Sequence, residues 1–179
     1  MIPKTSDICD ACDEAQACSA QFQSYGQKVT FAGPIRTIRC FEDIGLMRDV
    51  VNQRGDGHVL VIDGAGSLAK ALFGDVMAAI SIQNGWSGLI INGAVRDIHE
   101  INGMQIGVKA LGTNARRGSK AGVGEVDVPL TFGGVTFTPG QRVVADHDGV
   151  VVLPAGVHEG SLAIADVVAQ TAAYAGKSQ

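Results

Sequence analysis

The chain has no excess of positive charge: 14 Lys and Arg stand against 18 Asp and Glu, for a net charge of −4. That balance offers no electrostatic footprint for a nucleic-acid backbone or an anionic membrane surface. The basic residues are scattered, with Arg116-Arg117 the only adjacent pair. No apolar run reaches the ~20 residues that span a bilayer. The opening MIPKTSDICD lacks the apolar core of a signal peptide. The expectation is a cytoplasmic protein with no membrane and no direct nucleic-acid partner.

Cysteine is scarce and confined to the first quarter, at Cys9, Cys12, Cys18 and Cys40. Cys9-Asp-Ala-Cys12 has the C-x-x-C form, but no second ligand pair stands at zinc-site spacing. No strand precedes Cys9, as a thioredoxin-like motif requires. These cysteines therefore read as small packing residues on an N-terminal helix in a reducing compartment. A G-x-S-x-G elbow for a serine nucleophile is missing as well. So are linkers, low-complexity stretches and internal repeats. With 46% hydrophobic residues, 18% charged and 24 Gly, residues 1–179 read as one turn-rich globular domain.

What is present alternates between strand and helix signals. Thr5 or Ser6 can cap a first helix. A β-rich stretch runs from Val29 to Phe41, broken at Gly33-Pro34 as a bend or edge feature. Glu42-Asp43 then opens a helix with Leu46, Val50 and Val51 inward. His58 to Asp63 reads as a buried strand and Gly64 to Ser67 as a glycine turn that lets backbone approach a small ligand. The third glycine of a dinucleotide fingerprint is missing. Leu68 to Phe73 reads as a helical turn. From Asp75, a helix with Val76, Ala79, Ile80, Ile82 and Trp86 packs on the sheet, and Gly88 to Ala94 is a second buried strand. A short helical turn at Ile98 to Met104 and a strand at Val108 to Leu111 follow. Further strands are expected at Val126 to Leu130, Gly134 to Phe137, Val143 to Ala145 and Val150 to Leu153, and a last helix from Ala155 to Ala175.

The chemistry gathers on two dipeptides, Gly74-Asp75 and Arg96-Asp97, with residues 76–95 between them. One helix, one turn and one strand would bring both back to the same edge of a sheet, beyond the carboxyl ends of its strands. Asp97 can bind a hard cation; Mg²⁺ keeps most of its water shell and needs few protein carboxylates. Arg96 grips a carboxylate or enolate as a planar fork. Amides at the helix start, Gly74 to Met77, suit a second anionic oxygen. Together they suit a small 2-oxo acid. The bland alternative has Asp75 capping its helix and Arg96 with Asp97 forming surface pairs. Against it, an Arg-Asp pair directly after a buried strand has no packing role.

Other polar residues are weaker candidates. Asp146-His147-Asp148 between two strands reads as hairpin chemistry. His58 and His158 begin elements and read as structural or exposed, and His99 falls two residues past Asp97. Lys70 is the lysine nearest the site in sequence. A Schiff base on it is a weaker route than the metal.

The run from Val59 to Asp97, with VIDGAGSLAKALFGD and NGWSGLIINGAVRD, resembles the class II aldolase/RraA-like family. TSDICDAC, RCFEDIGLMRDVV and GEVDVPLTFGGVTFTPGQRVVADHDGVVVLP extend the likeness over nearly the whole chain. The family's aldolase signature is Gly-Asp, twenty residues, then Arg-Asp, and this sequence fits it without a gap. The resemblance implies an α/β fold, a swivelling β/β/α-type sandwich in a single compact domain with mixed sheets and flanking helices. It implies a homotrimer or hexamer with sites between subunits. The implied reaction is metal-dependent retro-aldol cleavage of 4-hydroxy-4-methyl-2-oxoglutarate, or of 4-carboxy-4-hydroxy-2-oxoadipate, to pyruvate, with secondary oxaloacetate decarboxylation. By the same resemblance, Gly74, Asp75, Val76 and Met77 bind substrate, largely through backbone amides. Arg96 binds substrate and enolate, and Asp97 anchors Mg²⁺ or Mn²⁺. Glu42 and Glu125 are candidates for a carboxylate lent by a neighbouring subunit. The competing implication is the family's regulator branch, the regulators of ribonuclease activity A, which inhibit endoribonuclease E by binding it. CFEDIGL and FGGVTF point there, whereas the retained Arg-Asp pair points to an aldolase.

Overall fold

The computed structural model describes residues 2–162. Helix α1 (Thr5–Ala11) and two short strands, β1 (Gln16–Ala17) and β2 (Gln23–Tyr25), precede the long strand β3 (Phe31–Cys40). Helix α2 (Gly45–Val51) leads to β4 (Val59–Asp63), β5 (Ala71–Phe73), helix α3 (Asp75–Gln83) and β6 (Gly88–Val95). After α4 (Ile98–Ile101) and β7 (Val108–Thr113) come β8 (Gly124–Val126), β9 (Leu130–Phe132), β10 (Val135–Phe137), β11 (Arg142–Ala145) and β12 (Val150–Val152).

Strands β3, β4, β6 and β7 run parallel at the centre of the main sheet. Antiparallel β2, β8, β11 and β12 extend it, so the sheet is mixed. The central strands read as unbroken apolar runs because both of their faces are covered. Leu60, Ile62, Leu89 and Ile91 point to one face, where they pack with Met47, Val50 and Val51 of α2, Ala78 of α3 and Ile101 of α4. Val59, Val61 and Ile90 point to the other, against Leu130, Val135 and Phe137 of the β9–β10 hairpin and Val143, Ala145, Val150 and Val152. Beyond that second layer, Ile8 of α1 packs on Val144, Val151 and Leu153. The β-on-β-on-α order implied by the resemblance is the order observed. No helix among the described residues is long and apolar enough to cross a membrane.

Several local expectations are corrected. Strand β3 is not broken at Gly33-Pro34. Its first four residues pair with β11, and from Ile35 it pairs with β4. A side chain at Gly33 would collide with the Gly57 carbonyl, so the glycine marks a close backbone crossing, not a bend. Leu68 to Phe73 holds no helical turn; Ala71–Phe73 is strand β5, parallel to β6. The strand placed at Val126 to Leu130 is two strands, β8 and β9, parted by Asp127 at φ 55°.

On α3, Ala78 and Ser81 are buried, whereas Val76 is 61% exposed and Ile82 38%. Its sequence, DVMAAISIQ, is apolar on every side, so periodicity could not select the inner face. On α2 Met47 is buried together with Val50 and Val51, with Leu46 only partly buried. Neither Thr5 nor Ser6 caps α1. Asp146 does so from across the fold, accepting from Thr5 N at 2.7 Å and Thr5 Oγ1 at 2.7 Å. The last expected helix, Ala155 to Ala175, falls largely outside the described residues. Within them only a 3₁₀ turn forms, at Glu159–Ser161.

Candidate active site

The two dipeptides meet because β5 and β6 are parallel neighbours. Phe73 stands abreast of Val95, so the residues that follow, Gly74 and Arg96, leave the sheet side by side. Arg96 N donates to Phe73 O at 2.9 Å and fixes that register. The helix between the strands was expected; the strand before it was not, and the strand brings the signature together.

At this junction the packing is tight. A β-carbon on Gly74 would stand 2.6 Å from Asp97 Oδ2 and 3.3 Å from Arg96 Cγ, so any side chain there would displace the Asp97 carboxylate. Asp97 sits in the left-handed region, at φ 56° and ψ 39°. Aspartate tolerates that region better than most residues, though such a conformation still costs about 1–3 kcal/mol. It is held from the following side by Ile101 N donating to Asp97 O at 3.1 Å. Arg96 Nε lies 3.1 Å from Asp97 Oδ2, and each side chain is about one-third exposed. The pair is thus open to a ligand.

Gly74 is the N-cap of α3. A helix start leaves its first N–H groups without intrahelical partners and carries partial positive charge. Asp75 Oδ1 accepts from Val76 N at 2.7 Å, so this side chain orients the first turn. Gly74, Asp75, Val76, Met77, Arg96 and Asp97 all line one cleft of about 220 Å³.

Three further cations line it that sequence reasoning did not single out: Arg48 of α2, and Arg117 and Lys120 of the segment after β7. Four cations against the carboxylates of Asp75 and Asp97 leave a positive surplus suited to a multiply charged anion. The cluster Arg116-Arg117-x-x-Lys120 was visible in sequence. Its side of the fold is set by long-range contacts that no local pattern reveals.

Those contacts centre on Asp43. Its carboxylate is 3% exposed and accepts from Gly45 N at 2.8 Å, Ala121 N at 2.8 Å, Gly122 N at 3.0 Å and the Ser119 hydroxyl. Burial alone would raise its pKa; the four donors outweigh burial and hold it below the usual range. Next to it, Glu42 pairs with Lys70 Nζ at 3.0 Å and accepts from Ser67 Oγ at 2.9 Å. The bond from Lys70, then that from Ser67, lowers the Glu42 pKa.

The remaining candidates lie elsewhere. Lys70 is tied to Glu42 and does not line the cleft. Glu125 pairs with Arg39 at 2.6 Å on the surface. His58 Nδ1 bonds Gly55 O at 2.8 Å, His99 is exposed on α4, and His158 Nδ1 accepts from Gly160 N. The turn at 64–67 packs on Asn92 and Leu72 instead of lining the cleft. In the β11–β12 hairpin, Asp146 Oδ1 accepts from Asp148 N at 2.9 Å, the turn chemistry expected, with the capping of α1 added. The four cysteines are free; Cys18 and Cys40 pack against the apolar cores and Cys9 against α1's contact layer.

Known proteins place this architecture. A family model described as RraA-like, Aldolase/RraA, matches residues 5–152. A structure from Geobacillus kaustophilus HTA426, named S-adenosylmethionine:2-dimethylmenaquinone methyltransferase, is 46% identical, with 93% of this chain and 98% of that one aligned and a TM-score of 0.82. The RNA-processing inhibitor RraA from Thermus thermophilis is 42% identical, covering 88% of this chain and 98% of that one, with a TM-score of 0.83. RraAS2 of Streptomyces coelicolor, at 23% identity over 98% of this chain and 91% of its own, shares the fold with a TM-score of 0.74. With its model matched over most of the length and two such relatives, the chain belongs to the RraA-like, Aldolase/RraA family.

Proposed function

We propose that the cleft binds a 2-oxo acid and cleaves its carbon–carbon bond with the help of Mg²⁺ or Mn²⁺ held at Asp97, releasing pyruvate. The reference substrate is 4-hydroxy-4-methyl-2-oxoglutarate or 4-carboxy-4-hydroxy-2-oxoadipate, with oxaloacetate decarboxylation as a secondary activity. The names of the relatives differ from one another, so the site carries this reading. The single observation behind it is the meeting of Arg96, Asp97 and the α3 start over Gly74 in one cationic cleft.

The donor set fits such a cation. Among the described residues no group of three or more His, Cys, Asp and Glu forms a dedicated cage. One or two carboxylates completed by water and substrate oxygens are what Mg²⁺ accepts. When bound, the cation would act as a Lewis acid on the substrate oxygens. The amides at the start of α3 would hold the substrate carboxylate. In the cleavage, the bond between C3 and C4 breaks as the 4-hydroxyl loses its proton and C4 becomes a carbonyl. The electron pair stays on the three-carbon fragment as an enolate, which Arg96 would stabilise, and a proton taken up at C3 completes pyruvate.

A homotrimer or hexamer accords with the large apolar side chains left outside. Phe41 is 65% exposed and Val123 68%, and they stand one residue beyond the Cys40–Gly124 strand pair. Such side chains clustered on one rim suit burial against a second copy. Glu42 and Glu125 remain the carboxylates proposed to be lent across that contact.

The test is pyruvate release from the hydroxy-oxoglutarate by Mg²⁺-loaded protein and by its Asp97→Ala variant. Loss of turnover in the variant, with the oligomer intact, supports the reading; full turnover there places the metal elsewhere. A second reading rests on the Thermus relative, named as an RNA-processing inhibitor. In it the chain binds an endoribonuclease E and restrains it. Binding to that enzyme retained by Arg96→Ala would put the regulatory surface apart from the cleft.

A further inference from the structure

We infer that Asp43 is a positioning residue: it sets the reach of residues 116–122 so that Arg117 and Lys120 engage a second acidic group on the substrate. The inference rests on the lyase reading above, whose substrates all carry a second carboxylate, and adds the residue that positions the cations meeting it.

The segment is clamped at both ends. Toward its start, Ala71 N donates to Arg116 O at 2.7 Å and Gly118 N to Ala71 O at 3.0 Å, tying it to β5, the strand that delivers Gly74. Further along, Ser119 N donates to Glu42 O and Ile44 N to Ser119 O, each at 2.8 Å. Asp43 closes the clamp with its bonds to Ser119, Ala121 and Gly122. There is no slack in the contact. A side chain on Gly118 would come within 2.6 Å of Glu42 O, and one on Gly45 within 2.5 Å of Gly122. A segment pinned this way presents its cations at a fixed place, and preorganised charge is worth more than mobile charge.

The cations it presents are free to act. Among the described residues neither Arg117 nor Lys120 makes an ion pair, whereas Arg36, Arg39, Lys70 and Arg142 all do. Both line the cleft that holds Arg96 and Asp97. The 2-oxo-acid head would already be met by Arg96, the α3 amides and a cation that Asp97 would hold. Of the three further cations on the cleft, Arg48 stands 4.0 Å from Asp49, whereas Arg117 and Lys120 are surplus to a monocarboxylate and matched to a second acidic group.

Steady-state kinetics on the full chain with Mg²⁺ test this, with pyruvate as an inhibitor that carries the head and no second carboxylate. If the unaltered protein turns over neither oxaloacetate nor the hydroxy-oxoglutarate, the lyase reading itself fails. Where it does turn over, Arg117→Ala/Lys120→Ala should raise KM about tenfold or more, with kcat and pyruvate inhibition nearly unchanged. Asp43→Asn should show the same split without touching either cation. Ser119→Ala, which removes one donor and leaves the carboxylate, should show it at smaller size and serves if Asp43→Asn does not fold. Unchanged KM in the double variant overturns the role of the cations. Unchanged KM in the Asp43 or Ser119 variants, or weakening of pyruvate inhibition in step with KM, overturns the positioning role.

Discussion

Gly74 and Asp97 are packed so closely that one added β-carbon on the glycine would stand 2.6 Å from the aspartate carboxylate. At φ −155° Gly74 is in extended backbone that any residue adopts, so the requirement is space and not conformation. Gly74→Ala therefore isolates the position of the Asp97 side chain. A displacement of about 1 Å at a reacting centre costs roughly 10²-fold, and a loss of that order is expected in kcat/KM. Far-ultraviolet circular dichroism should stay unchanged. An alanine variant with full activity would show that the Asp97 carboxylate need not sit where the structure places it.

Arg96 is expected to act through its planar fork and not through charge alone. Arg96→Lys keeps the cation but loses the paired donors. The proposal predicts a fall in kcat of about 10²–10³-fold, the usual effect of removing one donor to a developing oxyanion. Steady-state pyruvate release measures it. A change in KM alone would assign Arg96 to ground-state binding.

The acidic branch of stability follows from carboxylates held below their ordinary pKa, among them Asp43, Asp127 and Asp146. Burial opposes ionisation of Asp43 and Asp146, but hydrogen-bond donors prevail in both; for Asp127 the Arg36 hydrogen bond is the leading cause. A depressed folded pKa means that the unfolded chain binds more protons in acid. The stabilisation is therefore complete above the unfolded value near 4 and is lost as pH falls through the folded values. Denaturant titrations should give flat stability from neutral pH down to about 5 and a steep decline below about 4. Asp146→Asn should flatten that decline, and at neutral pH it should cost about 1 kcal/mol through the weakened cap on α1. Stability that rises on acidification below 4 would contradict this assignment.

Cys40 gives a check on the core. It is 5% exposed, and burial first, then the charges of Asp43 and Asp63, push its thiol up to about 12. The thiolate is the reactive form, so alkylation by iodoacetamide at pH 8 should spare Cys40 in the native protein and reach it in denaturant. Mass spectrometry of the digested protein reads this directly. Rapid native labelling would mean that the β3 end opens.

The α/β character was legible in the sequence, since buried parallel strands read as apolar runs, whereas the β/β/α layering and the twenty-residue signature rested on the family resemblance. Residues 68–73 were misread because three strand residues among glycine, serine and lysine give no period to count; their partner β6 decides their state. The inner face of α3 was illegible because Val76, Met77, Ile80 and Ile82 surround it. Arg48, Arg117 and Lys120 escaped notice as cleft residues for a related reason. Arg48 reaches the cleft through the core packing of α2, and the segment of Arg117 and Lys120 is held by Asp43, whose four donors lie two residues ahead and more than 70 residues away.

The central claim is metal-dependent cleavage, and a coupled lactate-dehydrogenase assay of pyruvate from 4-hydroxy-4-methyl-2-oxoglutarate, with and without EDTA, tests it most directly. The account predicts steady pyruvate formation with Mg²⁺ or Mn²⁺, abolition by the chelator and recovery when the metal is restored. No pyruvate from the metal-loaded protein, or a rate that EDTA leaves untouched, would contradict it.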